Sequence, residues 1–204
     1  MTRFSSFLGA LFASEADSQV LADCECGRLP RTSKCNECMQ SDVLCDLCFV
    51  EWHRNNPTHW VEQWNSDFFE KMDQSRLGQV LSLGHLGYAC PCAGDLSDPS
   101  RTTIFNLIDI NGVHSMRVAF CRCPTAVDTV DQLLGAKIFP ASVDRPTTGF
   151  TFNLLKTFHV DCLQSKKSAY DYVEALRRRT NGAFPSDVMV GHSHWICVRC
   201  SLHP

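Results

Sequence analysis

Thiol and imidazole side chains are the groups in this sequence whose types and spacing could do chemistry. The chain contains 13 cysteines, and all except Cys162 lie two or three residues from another cysteine. Neighbours this close rarely form disulfides with one another, because the resulting rings are strained. Two close thiolates instead cover one edge of a metal tetrahedron. The pattern therefore indicates metal binding in the reducing interior of a cell.

The first cluster places eight ligand-type residues within the 36 positions from Cys24 to His59, enough for two tetrahedral zinc ions. In a cross-brace, alternate pairs share an ion, and one metal would be bound by Cys24, Cys26, Cys45 and Cys48. The other metal would be bound by Cys35, Cys38, His53 and His59. The alternative is sequential pairing, with one metal on Cys24, Cys26, Cys35 and Cys38. We favour the cross-brace because it closes two interlocked loops in a segment with few apolar residues.

A second cluster consists of two C-x-C pairs that flank a β-rich region. It is predicted to bind a further ion through Cys90, Cys92, Cys121 and Cys123, with His85 as the substitute for one cysteine. His114 is seven residues from Cys121 along a predicted strand, about 23 Å at about 3.3 Å per residue, and is expected to have no metal role. His192, His194, Cys197 and Cys200 have the spacing of another tetrahedron, but their segment lacks apolar periodicity, so no metal is assigned there.

Each predicted site has four protein ligands and no open position for water. Zinc in such a site is structural, because catalytic zinc keeps one position for water or substrate. We therefore expect two to three structural Zn²⁺ ions, no catalytic residues and no enzymatic activity. Trp52, Trp60 and Trp64 are expected to form a small core beside the first cluster.

The elements that must position these ligands follow from local patterns. Segments 103–110 and 113–120 are rich in β-formers, and Asn111-Gly112 between them is typical of a type I′ hairpin turn. Residues 148–159 have helical apolar spacing. Ser168 and Asp171 form a capping box that begins a second helix, which is expected to end at Asn181-Gly182 and to bury Ala169, Tyr172, Val173 and Leu176. The predicted fold class is α+β: a small cross-braced zinc finger, a zinc-stabilised region with a β-hairpin, and a helical C-terminal part.

Four segments are predicted along the chain: an apolar arm (1–22), the zinc finger (23–64), the cysteine-cluster region with hairpin and helices (65–182) and a divergent tail (183–204). In the arm, one helix face carries Phe4, Phe7, Leu8, Leu11 and Phe12. This pattern favours an amphipathic helix over a signal peptide. The arm is too short to span a bilayer, and no other segment is apolar enough, so no membrane partner is expected.

The formal net charge of −3 is spread unevenly. Residues 1–100 contain 7 Lys/Arg and 14 Asp/Glu, whereas residues 101–204 contain 12 and 8. The acidic first half suits a basic protein segment, and the second half tolerates phosphate. The candidate nucleic-acid contacts are Lys166, Lys167, Arg177, Arg178 and Arg179; the alternative is that they form a solvated helix face.

Two family resemblances add to this interpretation. Residues 34–59 resemble ZZ-type and B-box zinc fingers, which are cross-braced, although the opening C-x-C differs from the C-x-x-C usual in ZZ fingers. Over residues 24–182 the chain resembles the CxC-type cysteine-cluster region of KDZ (Kyakuja–Dileera–Zisupton) transposases, which are abundant in fungi. The motifs that carry this second resemblance include Leu83-Gly84-His85, Cys90-Pro91, Phe120-Cys121-x-Cys123, Gln132-Leu133-Leu134 and Phe139-Pro140-Ala141.

The second resemblance implies a zinc-binding accessory recognition module, intracellular and nuclear, that binds DNA, a basic protein segment or both, with no small-molecule substrate. KDZ transposases continue into an RNase H-like catalytic domain, which this chain is expected to lack; beyond Asp187 it no longer resembles the family, as in a truncated copy. One alternative is a RING-like ubiquitin ligase, because cross-braced zinc also builds that surface. The others are metal-dependent DNA cleavage through Asp109 or Asp161, and a decayed transposon fragment without function.

Overall fold

The computed structural model describes residue 7 and residues 17–190. The rest of the predicted arm helix and the His192, His194, Cys197 and Cys200 set lie outside the described residues. The described chain divides into two compact units. Unit 1 contains the described residues up to His53 together with His59–Leu77, and unit 2 contains Arg54–Thr58 and the described residues from Gly78 onward. The predicted segment boundaries at 22, 64 and 182 stay predictions.

Unit 1 is a small antiparallel sheet with one short helix. Its strands are β1 (Ser33–Cys35), β2 (Val61–Trp64) and β3 (Phe69–Met72), in the order β1-β2-β3, and its helix is α1 (Asp46–Trp52). Its buried apolar cluster has three members, Cys35, Phe49 and Val61. Of the three tryptophans predicted to form the core, Trp60 is buried, but Trp52 is 70% exposed. The prediction for Trp52 is wrong because it lies at the solvent side of α1, whereas Phe49 occupies the core.

Asp46, at the first position of α1, joins the helix to the sheet. Its Oδ1 accepts hydrogen bonds from the Thr32 and Ser33 hydroxyls (2.9 and 2.6 Å), and its Oδ2 accepts one from Gln63 Nε2 (3.0 Å). A carboxylate at a helix N-terminus is also favoured by the helix dipole. One side chain therefore holds the helix that carries two cysteine ligands against β1 and β2.

Unit 2 is a five-stranded mixed sheet with helices on both faces. The strands are β4 (Val80–Ser82), β5 (Thr103–Asp109), β6 (Gly112–Ala119), β7 (Ile138–Pro140) and β8 (Thr148–Thr151), in the order β4-β6-β5-β8-β7. The β4–β6 and β5–β8 pairs are parallel, and the other two pairs are antiparallel. The helices are α2 (Thr129–Gly135), α3 (Phe152–Ser165) and α4 (Ala169–Thr180).

Side chains that alternate along β5 belong to two different apolar clusters of unit 2. Ile108 packs with Leu154 of α3 and Leu176 of α4, whereas the adjacent Leu107 packs with Leu133 of α2. Successive side chains of a strand point to opposite faces of the sheet, so α3 and α4 cover one face and α2 covers the other. Both helices and sheets are present, which confirms the α+β class.

The hairpin of β5 and β6 forms as predicted, but its turn is one residue earlier. Asp109 pairs with Gly112, so the turn residues are Ile110 and Asn111. Neither residue has a positive φ, and the turn is therefore not the type I′ predicted from Asn111-Gly112. Tertiary contacts account for the difference: Asn111 Nδ2 donates to the Thr58 carbonyl (2.7 Å), and Asn111 Oδ1 lies 3.0 Å from His114 Nε2.

The two predicted helices agree with the structure to different extents. Residues 148–151 are strand β8 instead of helix, because their backbone pairs with β5 and β7. The close packing of Gly149 on Ile138 and Phe105 leaves no room for a Cβ there, and α3 begins only after the N-cap Thr151. The capping box of α4 is confirmed: Ser168 Oγ accepts from the Asp171 N–H at 3.1 Å. Its buried residues are Tyr172, Val173 and Leu176, as predicted, and Ala169 is partly buried. Within the described residues no helix has the length and apolar character needed to cross a membrane.

Candidate metal centres

Three groups of cysteine and histidine side chains each bring four ligand atoms within 4.8 Å of one another. Site 1 is Cys24, Cys26, Cys45 and Cys48; site 2 is Cys35, Cys38, His53 and His59; site 3 is His85, Cys90, Cys121 and Cys123. With Zn–S near 2.3 Å and Zn–N near 2.0 Å, a regular tetrahedron places two sulfurs about 3.8 Å apart and a sulfur and a nitrogen about 3.5 Å apart. Ligand atoms separated by about these distances can hold a zinc ion in tetrahedral geometry.

Site 1 has sulfur separations close to this edge length. Cys24 Sγ lies 3.9 Å from Cys48 Sγ, and Cys26 Sγ lies 3.5 Å from Cys45 Sγ. Both distances are far longer than a disulfide bond of about 2.05 Å, and all four thiols are free. Cys45 is the N-cap of α1 and Cys48 lies in its first turn, so one helix end supplies one edge of the tetrahedron.

The thiols of site 1 differ in acidity. The backbone N–H and then the guanidinium of Arg28 lower the pKa of Cys26 to about 6, whereas burial raises the pKa of Cys48 to about 12. Cys26 is therefore a thiolate at neutral pH before any metal binds. The Cys48 thiol would lose its proton only when a metal ion binds, because a coordinating thiol is deprotonated outright.

Site 2 combines two thiols with two imidazoles. Cys38 Sγ lies 3.4 Å from His53 Nε2 and 3.5 Å from His59 Nδ1, and Cys35 Sγ lies 3.4 Å from His59 Nδ1. His53 Nδ1 lies 3.0 Å from the Phe49 carbonyl, so Nδ1 donates there and the Nε2 lone pair faces the site. Burial lowers the pKa of His53, which keeps the imidazole neutral. A neutral histidine oriented by a backbone carbonyl is the usual form of a metal ligand.

Two side chains outside the ligand set hold site 2 in place. Glu37 Oε2 accepts from the Trp60 N–H (2.7 Å), and Gln74 Nε2 donates to the His59 carbonyl (2.7 Å). Both contacts fix the same peptide bond, the one that joins His59 to Trp60. Sequence reasoning missed both residues, although Glu37 lies inside the Cys35-x-x-Cys38 pair.

The pairing within the first cluster is the alternating one. Sites 1 and 2 each take one early pair and one later pair of ligands, which is the grouping that a cross-brace predicts. Sequential pairing of Cys24, Cys26, Cys35 and Cys38 is not the grouping in the structure.

Site 3 forms where two parallel strands end side by side. Ser82 at the end of β4 pairs with Ala119 at the end of β6. His85 follows β4 by three residues and Cys121 follows β6 by two, so their side chains meet. His85 Nε2 lies 3.2 Å from Cys121 Sγ and 3.5 Å from Cys123 Sγ. Cys90 Sγ completes the group at 3.8 and 3.6 Å from the same two sulfurs.

The fourth ligand of site 3 differs from the main prediction. Cys92 is exposed and lies outside the group, and His85 takes its place. The Ala93 N–H donates to the Cys90 carbonyl at 2.9 Å, which closes a turn over Cys90 and directs Cys92 to solvent. His114 lies outside all three groups. His85 was the predicted substitute; a preference for it over Cys92 would have required the parallel β4–β6 pairing, which no local pattern indicates.

Two further residues position Cys121. Gln132, buried in α2, accepts from the Cys121 N–H (2.7 Å) and donates to the Cys121 carbonyl (3.2 Å). Gly84 has a φ of +86°, and a Cβ at this position would lie 2.8 Å from Cys121 Cβ. The Arg122 N–H, the largest influence on Cys90, lowers the pKa of that thiol to about 6. Gly84 and Gln132 both lie in motifs that carry the family resemblance, but the motifs indicated no role for either residue.

The five predicted nucleic-acid contacts do not all face solvent freely. Arg177 pairs with Glu174 at 2.7 Å, Lys167 lies 3.9 Å from Asp161, and Arg179 donates to the Ile110 carbonyl. Lys166 and Arg178 are exposed and form no ion pair within residues 17–190. The structure thus separates the five into two exposed cations that form no ion pair and three cations that make structural contacts, of which Arg179 is also exposed.

The two acids of the cleavage alternative belong to none of the three metal centres. Asp109 accepts from the hydroxyls of Thr58 (2.7 Å) and Thr151 (2.6 Å), and Asp161 lies beside Lys167. Neither acid belongs to a group of potential metal ligands among the described residues. Their contacts are of the kind that hold loops and helix ends in place.

The donor sets of the three sites are Cys₄, Cys₂His₂ and Cys₃His, and all three could hold metal ions. Thiolate and imidazole ligands in tetrahedral arrangement suit Zn²⁺. A family model described as a CxC2-like cysteine cluster associated with KDZ transposases matches residues 75–183, which is 109 of the 204 residues and includes the whole of site 3. No curated protein and no solved structure matches the chain. The match confirms the resemblance, and the chain belongs to the family of CxC2-like cysteine clusters associated with KDZ transposases.

Proposed function

We propose that this chain is a zinc-scaffolded recognition module that serves as an accessory to a KDZ-type transposase and binds DNA through unit 2. The observation that carries the proposal is that each site already has four protein ligand atoms at tetrahedral spacing. Such closed sites leave no position for water or substrate. We therefore propose three structural Zn²⁺ ions, no catalytic role for the chain itself, and action in the nucleus, where a transposase meets its DNA.

The division of charge supports unit 2 as the DNA-binding part. The described part of unit 1 (17–53 and 59–77) has 5 Lys/Arg and 11 Asp/Glu, whereas the described part of unit 2 (54–58 and 78–190) has 12 and 10. Phosphate contacts supply most of the sequence-independent affinity for DNA. The acidic surface of unit 1 would repel a phosphate backbone, so the contacts are assigned to unit 2.

A second partner is proposed for unit 1, a basic protein segment. Its acidic balance would attract lysine and arginine side chains. Met39 is 95% exposed and Trp52 is 70% exposed, and each adjoins a site 2 ligand, Cys38 or His53. Exposed apolar side chains within an acidic surface are suited to a segment that is both basic and partly apolar.

The proposal is tested on protein purified with its metal. Metal content is measured by mass spectrometry, and DNA binding is measured by fluorescence anisotropy over a range of salt concentrations. We expect three zinc ions per chain and an affinity that falls with salt and is lost after chelation. Fewer than two ions per chain, or no affinity for single- or double-stranded DNA, would contradict the proposal.

A self-ubiquitination assay separates this function from the RING-like alternative. The purified chain is incubated with ubiquitin, activating enzyme and a set of conjugating enzymes. The recognition module is expected to be inactive. Activity that disappears in Cys35→Ser but persists in Cys92→Ser would favour the ligase, because only the first substitution removes a ligand of a metal centre.

A further inference from the structure

Unit 2 contains a cavity of about 870 Å³ that none of the metal centres occupies. Its floor includes the core residues Leu83, Leu107 and Ile138. The first turn of α3, with Phe152 and Asn153, and parts of the segments 54–58 and 84–87 also line it. Small-ligand sites have volumes of about 300–1,000 Å³, so the cavity is large enough for a ligand of nucleotide size.

Three cations line this cavity without a carboxylate partner. Lys137 and Lys156 are exposed and form no ion pair within residues 17–190. Arg54 stacks over the Tyr88 ring at 3.8 Å, and its Nε is buried with no hydrogen-bond partner among the described residues. Lys137 and Lys156 are neighbours in space, since the Lys137 carbonyl accepts from the Phe152 N–H (3.0 Å) and Lys156 lies one helical turn beyond Phe152. The cavity therefore favours an anionic ligand.

The acids of the cavity do not cancel this preference. Asp109 receives hydrogen bonds from the Thr58 and Thr151 hydroxyls and from the Ile110 N–H, so its charge is already compensated by three donors. Asp131 is exposed in the first turn of α2. A carboxylate in that position can accept from the exocyclic amine of a nucleobase, as Asp and Glu do in base recognition.

The remaining lining residues suit a base more than a bare phosphate. Phe152 offers an aromatic face, and bases stack on such faces in single-strand binding proteins. Asn55 and Asn153 offer amides that both donate and accept. A base in a duplex is stacked and paired, and could not enter a cavity of this kind without leaving the helix.

Site 3 supports one wall of the cavity. Loop 84–87 contains the site 3 residue His85 and also the lining residues Gly84, Leu86 and Gly87, and Gly84 lies against Cys121. Gln132 lines the cavity and holds the backbone of Cys121. The metal centre therefore fixes the position of residues that contact a ligand in the cavity.

We propose that this cavity binds an unpaired nucleotide of a DNA strand, with its phosphate at Lys137, Lys156 and Arg54 and its base over the apolar floor beside Phe152. The inference deepens the proposed DNA-binding function and rests on it. It predicts a preference for single-stranded DNA or frayed ends over a blunt duplex. It also assigns the main DNA contacts to a site that is separate from Lys166 and Arg178.

Two kinds of variant of the zinc-loaded full chain test the assignment. Lys137→Asn/Lys156→Gln removes two charges, and Asn suits position 137, where φ is 61°. Gly135→Phe fills the cavity without a change in charge, because a Cβ at Gly135 meets nothing within 4 Å. The charge-matched control is Lys166→Gln/Arg178→Gln. Affinity for short labelled single strands and blunt duplexes is measured by anisotropy against salt, and circular dichroism verifies that each variant is folded.

The expected result is that both cavity variants lose about tenfold in affinity for the single strand while the control is unchanged. The double-charge variant should also lower the salt slope by up to about 0.7, since the cavity holds one phosphate and each phosphate contact contributes about 0.7 on single strands. Cavity variants that bind like the wild type while the control loses affinity would overturn the inference and leave the proposed function standing. Equal wild-type affinity for blunt duplex and single strand would also overturn it. A wild type with no affinity for either DNA would refute the proposed function itself.

Discussion

Cys90 and Cys92 show that two neighbouring cysteines can have different roles. Cys90 Sγ lies 3.8 and 3.6 Å from the other two sulfurs of site 3, whereas Cys92 is exposed and outside the group. The Cys90–Ala93 turn decides which thiol faces the site. A C-x-C pair therefore does not by itself identify two ligands of one ion.

Substitution of these two cysteines should change the metal content differently. Cys90→Ser removes a ligand from site 3, and we expect the purified protein to lose one of three zinc ions. Cys92→Ser is the matched control and should keep all three. Metal content by mass spectrometry against protein concentration measures the difference. Loss of an ion in Cys92→Ser would show that Cys92 binds metal in solution.

The thiols of site 3 should also differ in reactivity once the metal is removed. The pKa of Cys90 is lowered to about 6, mainly by the Arg122 N–H, whereas hydrogen bonds with Cys90 and Cys121 raise the pKa of Cys123 to about 12. At pH near 7 the lower pKa favours the thiolate form of Cys90, and the thiolate is the nucleophile. We expect iodoacetamide to modify Cys90 before Cys123 in chelator-treated Cys92→Ser protein. Peptide mass spectrometry over time measures the order, and equal rates at pH 7 would contradict it.

Gln132 is a positioning residue whose removal should weaken site 3. Gln132→Leu leaves the N–H and carbonyl of Cys121 and the Val127 carbonyl without their partner. Unsatisfied groups shielded from water cost about 1–3 kcal/mol each, and Val127 is exposed, so the two Cys121 groups predict a loss of about 2–6 kcal/mol in the free energy of unfolding and faster zinc transfer to a chelator. Leu134→Ala, at an exposed position of the same helix, is the control and should change both by little. Unchanged zinc transfer in Gln132→Leu would refute the positioning role.

At the scale of elements, the turn after β4 carries the geometry of site 3. Gly84 and Gly78 both have positive φ, +86° and +89°, but only at Gly84 would a Cβ meet another residue, Cys121. Gly78→Ala should cost about 1 kcal/mol for the backbone conformation alone. Gly84→Ala should cost about 2–4 kcal/mol, because the close contact adds to the same strain.

Chemical denaturation of the two glycine variants measures this difference. Their equal φ makes Gly78→Ala the control for backbone strain, and the excess in Gly84→Ala reports the contact with Cys121. Zinc retention should fall only in Gly84→Ala. Equal destabilisation of the two variants would mean that the turn relaxes away from Cys121 at no cost.

The elements that could be predicted from sequence are those with local signals. The capping box of Ser168 and Asp171 located α4, and two β-rich segments located β5 and β6. Strands β4, β7 and β8 have three or four residues each, and they exist because of distant partners. Val80 of β4, for example, pairs with Arg117 of β6. A strand that short has no periodicity of its own to detect.

The difference between local signals and distant partners also explains which metal ligands could be predicted. Sites 1 and 2 draw on ligands that are dense in sequence, so counting and alternation were enough to group them. Site 3 depends on the parallel β4–β6 pair, which brings His85 to Cys121 across 36 residues. The cavity depends on the same tertiary arrangement, and its cations Lys137 and Lys156 stand in no motif. Sequence reasoning therefore singled out the clustered cations of α4 instead.

At the scale of the whole chain, the two units differ in what holds them together. The buried apolar cluster of unit 1 has three members, of which Cys35 is itself a ligand, whereas the clusters of unit 2 have nine and seven. Ordering each residue costs about 1–2 kcal/mol of backbone entropy, and a buried Phe or Val contributes only about 1.5–3 kcal/mol. We therefore expect unit 1 to depend on metal binding for its free energy of folding, as small zinc domains do.

Chelation should consequently unfold the two units to different extents. After zinc removal we expect the backbone amides of β1, β2 and β3 to lose protection from hydrogen exchange, because their sheet has almost no apolar core without sites 1 and 2. Amides of β5, β6 and α4 should stay protected, since Phe150, Leu154 and Leu176 remain buried without metal. Exchange followed by peptide mass spectrometry resolves the units, and protein reloaded with zinc is the control that recovers both. Protection of β1–β3 that survives chelation would show that unit 1 is stabilised by something other than its metal ligands, and the structural role assigned to sites 1 and 2 would then be wrong.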